Sequence, residues 1–202
     1  MLRGRFLVLL LVIGVGLMFV GFPQAARAQT KLKPGQCCPV KVKKSGSYIL
    51  TGNLEPNNAN TDAIAISASN VTIDLGGYSI VGPGKNGNGI GINAGAQNGV
   101  TVQNGSVSGM GSNGVVLGNY GVARNLQVTG NGSSGSGAGI QCVGASCLVS
   151  SCIASGNASS GLVFLDASSG YQDNIIQGNL AGTVSLGTDM GGNVCNGVRG
   201  CP

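Results

Sequence analysis

The sequence predicts an all-β, single-domain parallel β-helix, a solenoid of about six or seven short coils with a cap at each end. Three observations predict it. The chain has 38 Gly, no Trp and no His in 202 residues. Its Val, Ile and Leu recur in short period-two alternation. One small pattern returns every 21–26 residues, the spacing of a solenoid coil.

From the N-terminus, Arg3 and Arg5 precede an apolar run from Phe6 to Phe22, and Ala26-Arg27-Ala28 follows. This is the layout of a secretory signal peptide over residues 1–28, with cleavage expected after Ala28. The alternative is a retained anchor, since about 20 apolar residues span a bilayer. The whole chain carries 11 Lys and Arg against 6 Asp and Glu. Without Arg3, Arg5 and Arg27 the balance is 8 − 6 = +2, which leaves no stripe for nucleic acid and no polybasic membrane patch. A secreted or periplasmic protein is expected, with no membrane contact after cleavage.

Residues 29–44 are expected as an N-terminal cap segment, with Lys41, Lys43 and Lys44 at a solvated edge. Open ends of a solenoid are strand edges that need covering. Residues 45–187 carry the repeat: a small residue, an aliphatic, another residue and a second apolar one. Its first aliphatics are Ile64, Ile90, Val115, Ile140 and Leu162, at spacings of 26, 25, 25 and 22. A weaker copy follows at Val184. A second column places Asn104, Asn125 and Ser151 each five residues before Gly109, Gly130 and Gly156, with Asn174 before Gly178 as its continuation. Asn tolerates left-handed backbone, so this column is expected at a tight bend with amides stacked between coils. A leucine-rich repeat would need a Leu-x-x-Leu-x-Leu frame and a helical segment, and neither occurs. A Greek-key sandwich would not return the same column each turn.

Residues 188–202 are expected as a Cys-containing C-terminal cap. Cys195 and Cys201 are close enough in sequence to pin it by a disulfide. All 7 Cys lie beyond the signal segment, in the part where disulfides persist. Cys142, Cys147 and Cys152 fall on inward columns of one coil and either pair or stay as small buried groups. No C-x-x-C occurs, so no zinc site is expected, and no cofactor.

Ser45-Gly46-Ser47-Tyr48-Ile49-Leu50-Thr51-Gly52-Asn53-Leu54 and Asn70-Val71-Thr72-Ile73-Asp74-Leu75-Gly76-Gly77 together resemble the opening of secreted right-handed parallel β-helix repeat proteins of the pectate-lyase-like superfamily. The stretches from Tyr171 to Ile176 and from Gly192 to Gly197 resemble the last coil and tail of small bacterial members. The resemblance spans roughly Ser45 to Pro202. It implies the fold and a polysaccharide or cell-envelope partner. Superfamily members include lyases, hydrolases and epimerases, and others with no assigned reaction.

For chemistry, a uronate lyase or epimerase needs a base and neutralisation of the substrate carboxylate, and inverting hydrolysis needs two carboxylates. Asp62, Asp74 and Lys85 form the best early constellation, with Tyr78 as a hydroxyl donor. Arg124 and Asp173 form a second, since each follows an inward anchor, Val122 or Tyr171, by two residues. Asp166 and Asp173 lie some four coils from Asp74, or about 19 Å at one strand spacing per coil. With no His, imidazole bases and His-ligated metals are excluded. Tyr78 and Tyr120 are the candidate ligand-stacking residues. The expected function is display or binding without catalysis, with a uronate lyase or epimerase as the alternative and end-to-end assembly as a third reading. Sequons at Asn70, Asn104, Asn131 and Asn157 are expected by chance in so Ser- and Asn-rich a chain.

Overall fold

The structure is a computed structural model that describes residues 28–84, 86–133 and 136–201. The expected signal segment therefore lies outside the described residues, apart from Ala28, and so does Lys85. Among the described residues there is no α-helix, only the short 3₁₀ turn Pro34–Gln36. No helix among them is long and apolar enough to cross a membrane.

The chain winds as a parallel β-solenoid. The second sheet takes a single strand from each coil: Val40–Val42, Ile64–Ile66, Ile92–Ala94, Val115–Leu117, Ile140–Cys142, Ser160–Phe164 and Gly182–Ser185. These are seven coils among the described residues, within the expected number. The first sheet runs from Thr30–Leu32 through Gly46–Leu50, Val71–Asp74, Thr101–Ser108 and Val122–Thr129. Each later coil enters it as two short strands, such as Leu148–Ser150 and Ile153–Ser155. Segment 29–44 thus contributes a strand to each sheet, and Pro34 folds beneath Gly52.

Alternation builds the core. Ile64, Ile92, Val115, Ile140 and Leu162 stack in register and are all at most 1% exposed. Each coil buries its aliphatics against the next, so no coil is stable alone. The third coil corrects the sequence alignment. The partner of Ile64 is Ile92, not Ile90, so the first two spacings are 28 and 23. A period-two pattern reads equally well two residues out of step, and Gly89-Ile90-Gly91-Ile92 offers both choices.

The repeat's small residue is small because another backbone crosses it. A Cβ on Gly114 would lie 2.3 Å from Val128 Cγ1 and 2.7 Å from the Gly139 carbonyl oxygen. These distances leave no room for a methyl group.

Three columns of left-handed backbone turn each coil. Asn104, Asn125, Ser151 and Asp173 form one, with φ between 52° and 60°. Gly109, Gly130, Gly156 and Gly178 form the second. Asn70, Gly99, Tyr120 and Ser146 form the third. The first column is the expected one with a single correction: its fourth member is Asp173, and Asn174 points inward. This restores the five-residue step to Gly178.

The interior holds polar ladders that the sequence reading missed. Asn157 Oδ1 accepts from the backbone N–H of Asn131 at 3.0 Å and from its Nδ2 at 3.1 Å. Asn157 Nδ2 donates to the Val128 carbonyl and to Asn179 Oδ1. Asn174 and Asn193 repeat the arrangement at the next bend. Asn131, Asn157 and Asn174 are fully buried, and each is satisfied, as burial of an amide requires. The sequons at Asn131 and Asn157 are therefore ladder amides, closed to modification in the folded chain. The signal was present: Gly130-Asn131, Gly156-Asn157 and Gly178-Asn179 recur at the coil period.

At the far end Val194–Cys195 adds to the first sheet beside Ile175–Gln177, and Val198–Arg199 pairs antiparallel with it as the last strand. The expected disulfide between Cys195 and Cys201 closes it, with Cα atoms 5.3 Å apart. The structure also joins Cys37 to Cys38, a neighbour pairing that the sequence reading did not consider.

Candidate functional site

The richest polar surface lies where the first sheet bends at Asn104 and Asn125. In-register strands present side chains in rows here, because alternate residues face solvent. One row runs Asp74, Gln103, Arg124, Ser150 and Gln172. Past the bend, Ser79, Ser106 and Gln127 start another. Between the rows is an open groove of about 500 Å³, lined by Gly77, Ser79, Asn104, Ser106, Asn125 and Gln127.

Asp74 sits at its edge, at the end of Val71–Asp74. Its Oδ1 accepts from the Gly76 N–H at 2.8 Å, and its Oδ2 from Gln103 Nε2 at 2.9 Å and Asn104 Nδ2 at 3.1 Å. Gln103 Oε1 in turn accepts from Arg124 Nε at 2.8 Å and Nη2 at 2.6 Å. A charge-assisted relay therefore runs across three coils, from guanidinium to amide to carboxylate. Ser106 and Ser79 hydroxyls meet at 2.8 Å, and Asn125 Nδ2 donates to Asn104 Oδ1 at 3.3 Å. Tyr78, 40% exposed, stands between the lining residues Gly77 and Ser79.

The other expected residues do not converge on this groove. Asp62 lies before Ile64–Ile66 in the other sheet. Its Oδ1 accepts from the Ile90 N–H and its Oδ2 from Asn93 Nδ2, both at 2.9 Å. It works there as a loop clamp, on a different sheet from Asp74. Asp173 is a bend residue in the column beside Arg124's row, and Arg124 bonds Gln103 instead. The shared spacing after Val122 and Tyr171 had suggested one row. The true partner of Tyr171 is Val149, which pairs with Ala123, so the two anchors are not equivalent. Tyr120, 65% exposed, occupies the third bend column, and its N–H donates to the Ala145 carbonyl.

Two carboxylates elsewhere have depressed pKa values with structural causes. Asp189 accepts from the Cys201 and Gly191 N–H groups, which hold it below the usual range, with Asn193 adding a further donor. Asp166 is lowered by the Ser168 hydroxyl and N–H. Both are single acids tying down a turn. Among the described residues no three His, Cys, Asp or Glu side chains gather as a metal site.

The groove lining offers hydroxyls and amides on an open sheet. The Arg124 guanidinium and the Asp74 carboxylate belong to the adjoining row, and Asp74 is already committed to three donors. The sequence matches no protein-family model, curated protein or solved structure with which it was compared.

Proposed function

We propose that the chain is an exported β-helix protein, of the right-handed pectate-lyase-like kind, that binds a polysaccharide of the cell envelope without transforming it. The observation that carries this reading is the groove at Asn104 and Asn125. An extended glycan presents hydroxyls at regular intervals, and parallel rows of Ser, Asn and Gln present complementary groups at each coil. Tyr78, between two lining residues in the sequence, is 40% exposed, and Arg124 in the adjoining row has Nη1 free of the Gln103 contact, suited to an acidic sugar. A non-catalytic role is favoured because Asp74 is bonded by Gly76, Gln103 and Asn104, and no carboxylate is among the groove's lining residues. Export is supported by the Ala26-Arg27-Ala28 pattern and the Cys195–Cys201 bridge.

The test is a glycan array combined with polysaccharide digestion, using the exported chain and its Asn125→Ala and Tyr78→Ala variants. Retention of an acidic or neutral polysaccharide, weakened by both variants and without product formation, is the expected result. Appearance of unsaturated uronate absorbance, lost in Asp74→Ala, would replace this reading with a lyase. No retention of any glycan would end it.

End-to-end assembly is a second reading, favoured by one observation. The last strand, Gly182–Ser185, is an open edge of its sheet, and Leu180 and Leu186 beside it are 77% and 58% exposed. At the opposite end Lys31, Lys33, Lys41, Lys43 and Lys44 are all exposed. Sedimentation that rises with concentration and reverts in Leu186→Lys supports assembly. A single concentration-independent monomer rejects it.

A further inference from the structure

We propose that Cys142 and Cys147 close a third disulfide, leaving Cys152 as the protein's one free thiol. The seven cysteines then divide into three bridges and one buried group.

The argument starts from the bend that separates them. Cys142 ends the strand Ile140–Cys142, and Cys147 precedes Leu148–Ser150 in the other sheet, so both flank one corner of the coil. The equivalent positions in the preceding coil are Leu117, which pairs with Cys142, and Gly121, which precedes the pair Val122 and Leu148. A Cβ on Gly121 would lie only 2.7 Å from the Leu117 Cβ. In that coil, whose corner is one residue shorter, the two inward positions are closer than the about 3.5–4.5 Å between Cβ atoms that a disulfide needs, and the register carries this proximity to Cys142 and Cys147. One coil later both positions are cysteine. In the structure both thiols are free and buried, at 0% and 3% exposure, and the Cys147 thiol donates to the Gly118 carbonyl at 3.1 Å.

Cys152 has no such partner. The strand Leu148–Ser150, about 10 Å of extended chain, and the Ser151 bend separate it from Cys147. Its thiol donates to the Ser150 carbonyl, and burial pushes its pKa up to about 11. It is a small apolar filler.

In the folding chain either thiol can open the exchange as its thiolate, Cys147 for one. It displaces one thiolate from a small-molecule disulfide such as oxidised glutathione, giving a mixed disulfide. Cys142 then loses its proton and attacks the Cys147 sulfur, which releases the second thiol. The two cysteines lose two electrons and two protons, and the oxidant becomes two thiols. Burial places this exchange in the folding chain, before the corner closes.

In the cell the oxidant follows from the export reading, so the test supplies its own. The full chain is reduced, unfolded, refolded with reduced and oxidised glutathione, then denatured in iodoacetamide and weighed intact. Site-resolved digestion is expected to show Cys152 alkylated, Cys142 and Cys147 unalkylated, and a fragment joining Cys142 to Cys147. Cys142→Ser and Cys147→Ser should each leave the remaining partner alkylated. Alkylation of both Cys142 and Cys147 in the unsubstituted chain, or a fragment joining Cys152 to either partner, overturns the proposal. A chain recovered reduced from its host that closes the bond under glutathione supports the pair and counts against export alone.

Discussion

Arg124 and Asp74 stand two coils apart in one row of the first sheet and are joined through the amide of Gln103, which accepts from the guanidinium and donates to the carboxylate. The relay is exposed at the arginine end, so its worth to stability is small, typically under about 1 kcal/mol for exposed pairs. Its effect is orientation: it holds the Arg124 guanidinium against Gln103, in the row next to the groove-lining Asn125.

Arg124→Ala is therefore expected to leave the unfolding midpoint nearly unchanged while weakening retention of an acidic polysaccharide by about tenfold, or about 1.4 kcal/mol. Gln103→Ala should weaken it less, because the charge stays and only its position is lost. Calorimetric titration beside thermal melts separates the two effects. Equal loss of binding and stability in both variants would show the relay to be structural only.

Asn157→Ala should be far more damaging. It removes the acceptor for Asn131's backbone and side-chain N–H groups and the donor for the Val128 carbonyl, all in the interior. Buried groups left unpaired cost about 1–3 kcal/mol each, so a loss of about 2–4 kcal/mol is expected from urea midpoints. Asn179→Ala, at the half-buried end of the ladder, should cost less.

Tyr120 has φ 56° at a position where the second coil has Asn70. A left-handed conformation costs a side-chain-bearing residue about 1–2 kcal/mol, less for Asn. Since the ring is 65% exposed, Tyr120→Asn should raise stability by about 0.5–1 kcal/mol in thermal melts. If the same variant loses glycan binding, the strain is retained for the exposed ring.

The C-terminal cap should loosen in acid. Asp189 is held below its unfolded pKa by the Cys201 and Gly191 N–H groups. A depressed carboxyl contributes stability above its unfolded pKa, near 4, and loses that contribution as pH falls through the lower folded value. The protection of the Cys201 amide, its exchange rate taken relative to the intrinsic rate at each pH, should therefore be high at neutral pH and fall below about pH 4. In Asp189→Asn it should be low already at neutral pH. Because Asp189 is exposed, solvent screening keeps the effect at or below about 1 kcal/mol.

The sequence by itself determined the solenoid, two of the three bend columns and the C-terminal disulfide. Period-two alternation, the turn chemistry of Asn and Gly, and a six-residue separation between Cys195 and Cys201 are local properties that survive reading one residue at a time. Register was not legible in the same way. Ile90 and Ile92 are equal candidates by pattern, and only the closure of each coil on its neighbours chose Ile92. The same two-residue freedom put Arg124 and Asp173 on one row in the sequence reading, where the structure gives Arg124 to Gln103 and Asp173 to a bend. Tertiary structure also decided which polar residues face inward. Asn157 and Asn125 read alike as turn residues, yet one is fully buried and the other lines a groove. The difference lies in whether a neighbouring coil offers a carbonyl and an amide to meet the side chain, and that is a property of stacking rather than of sequence.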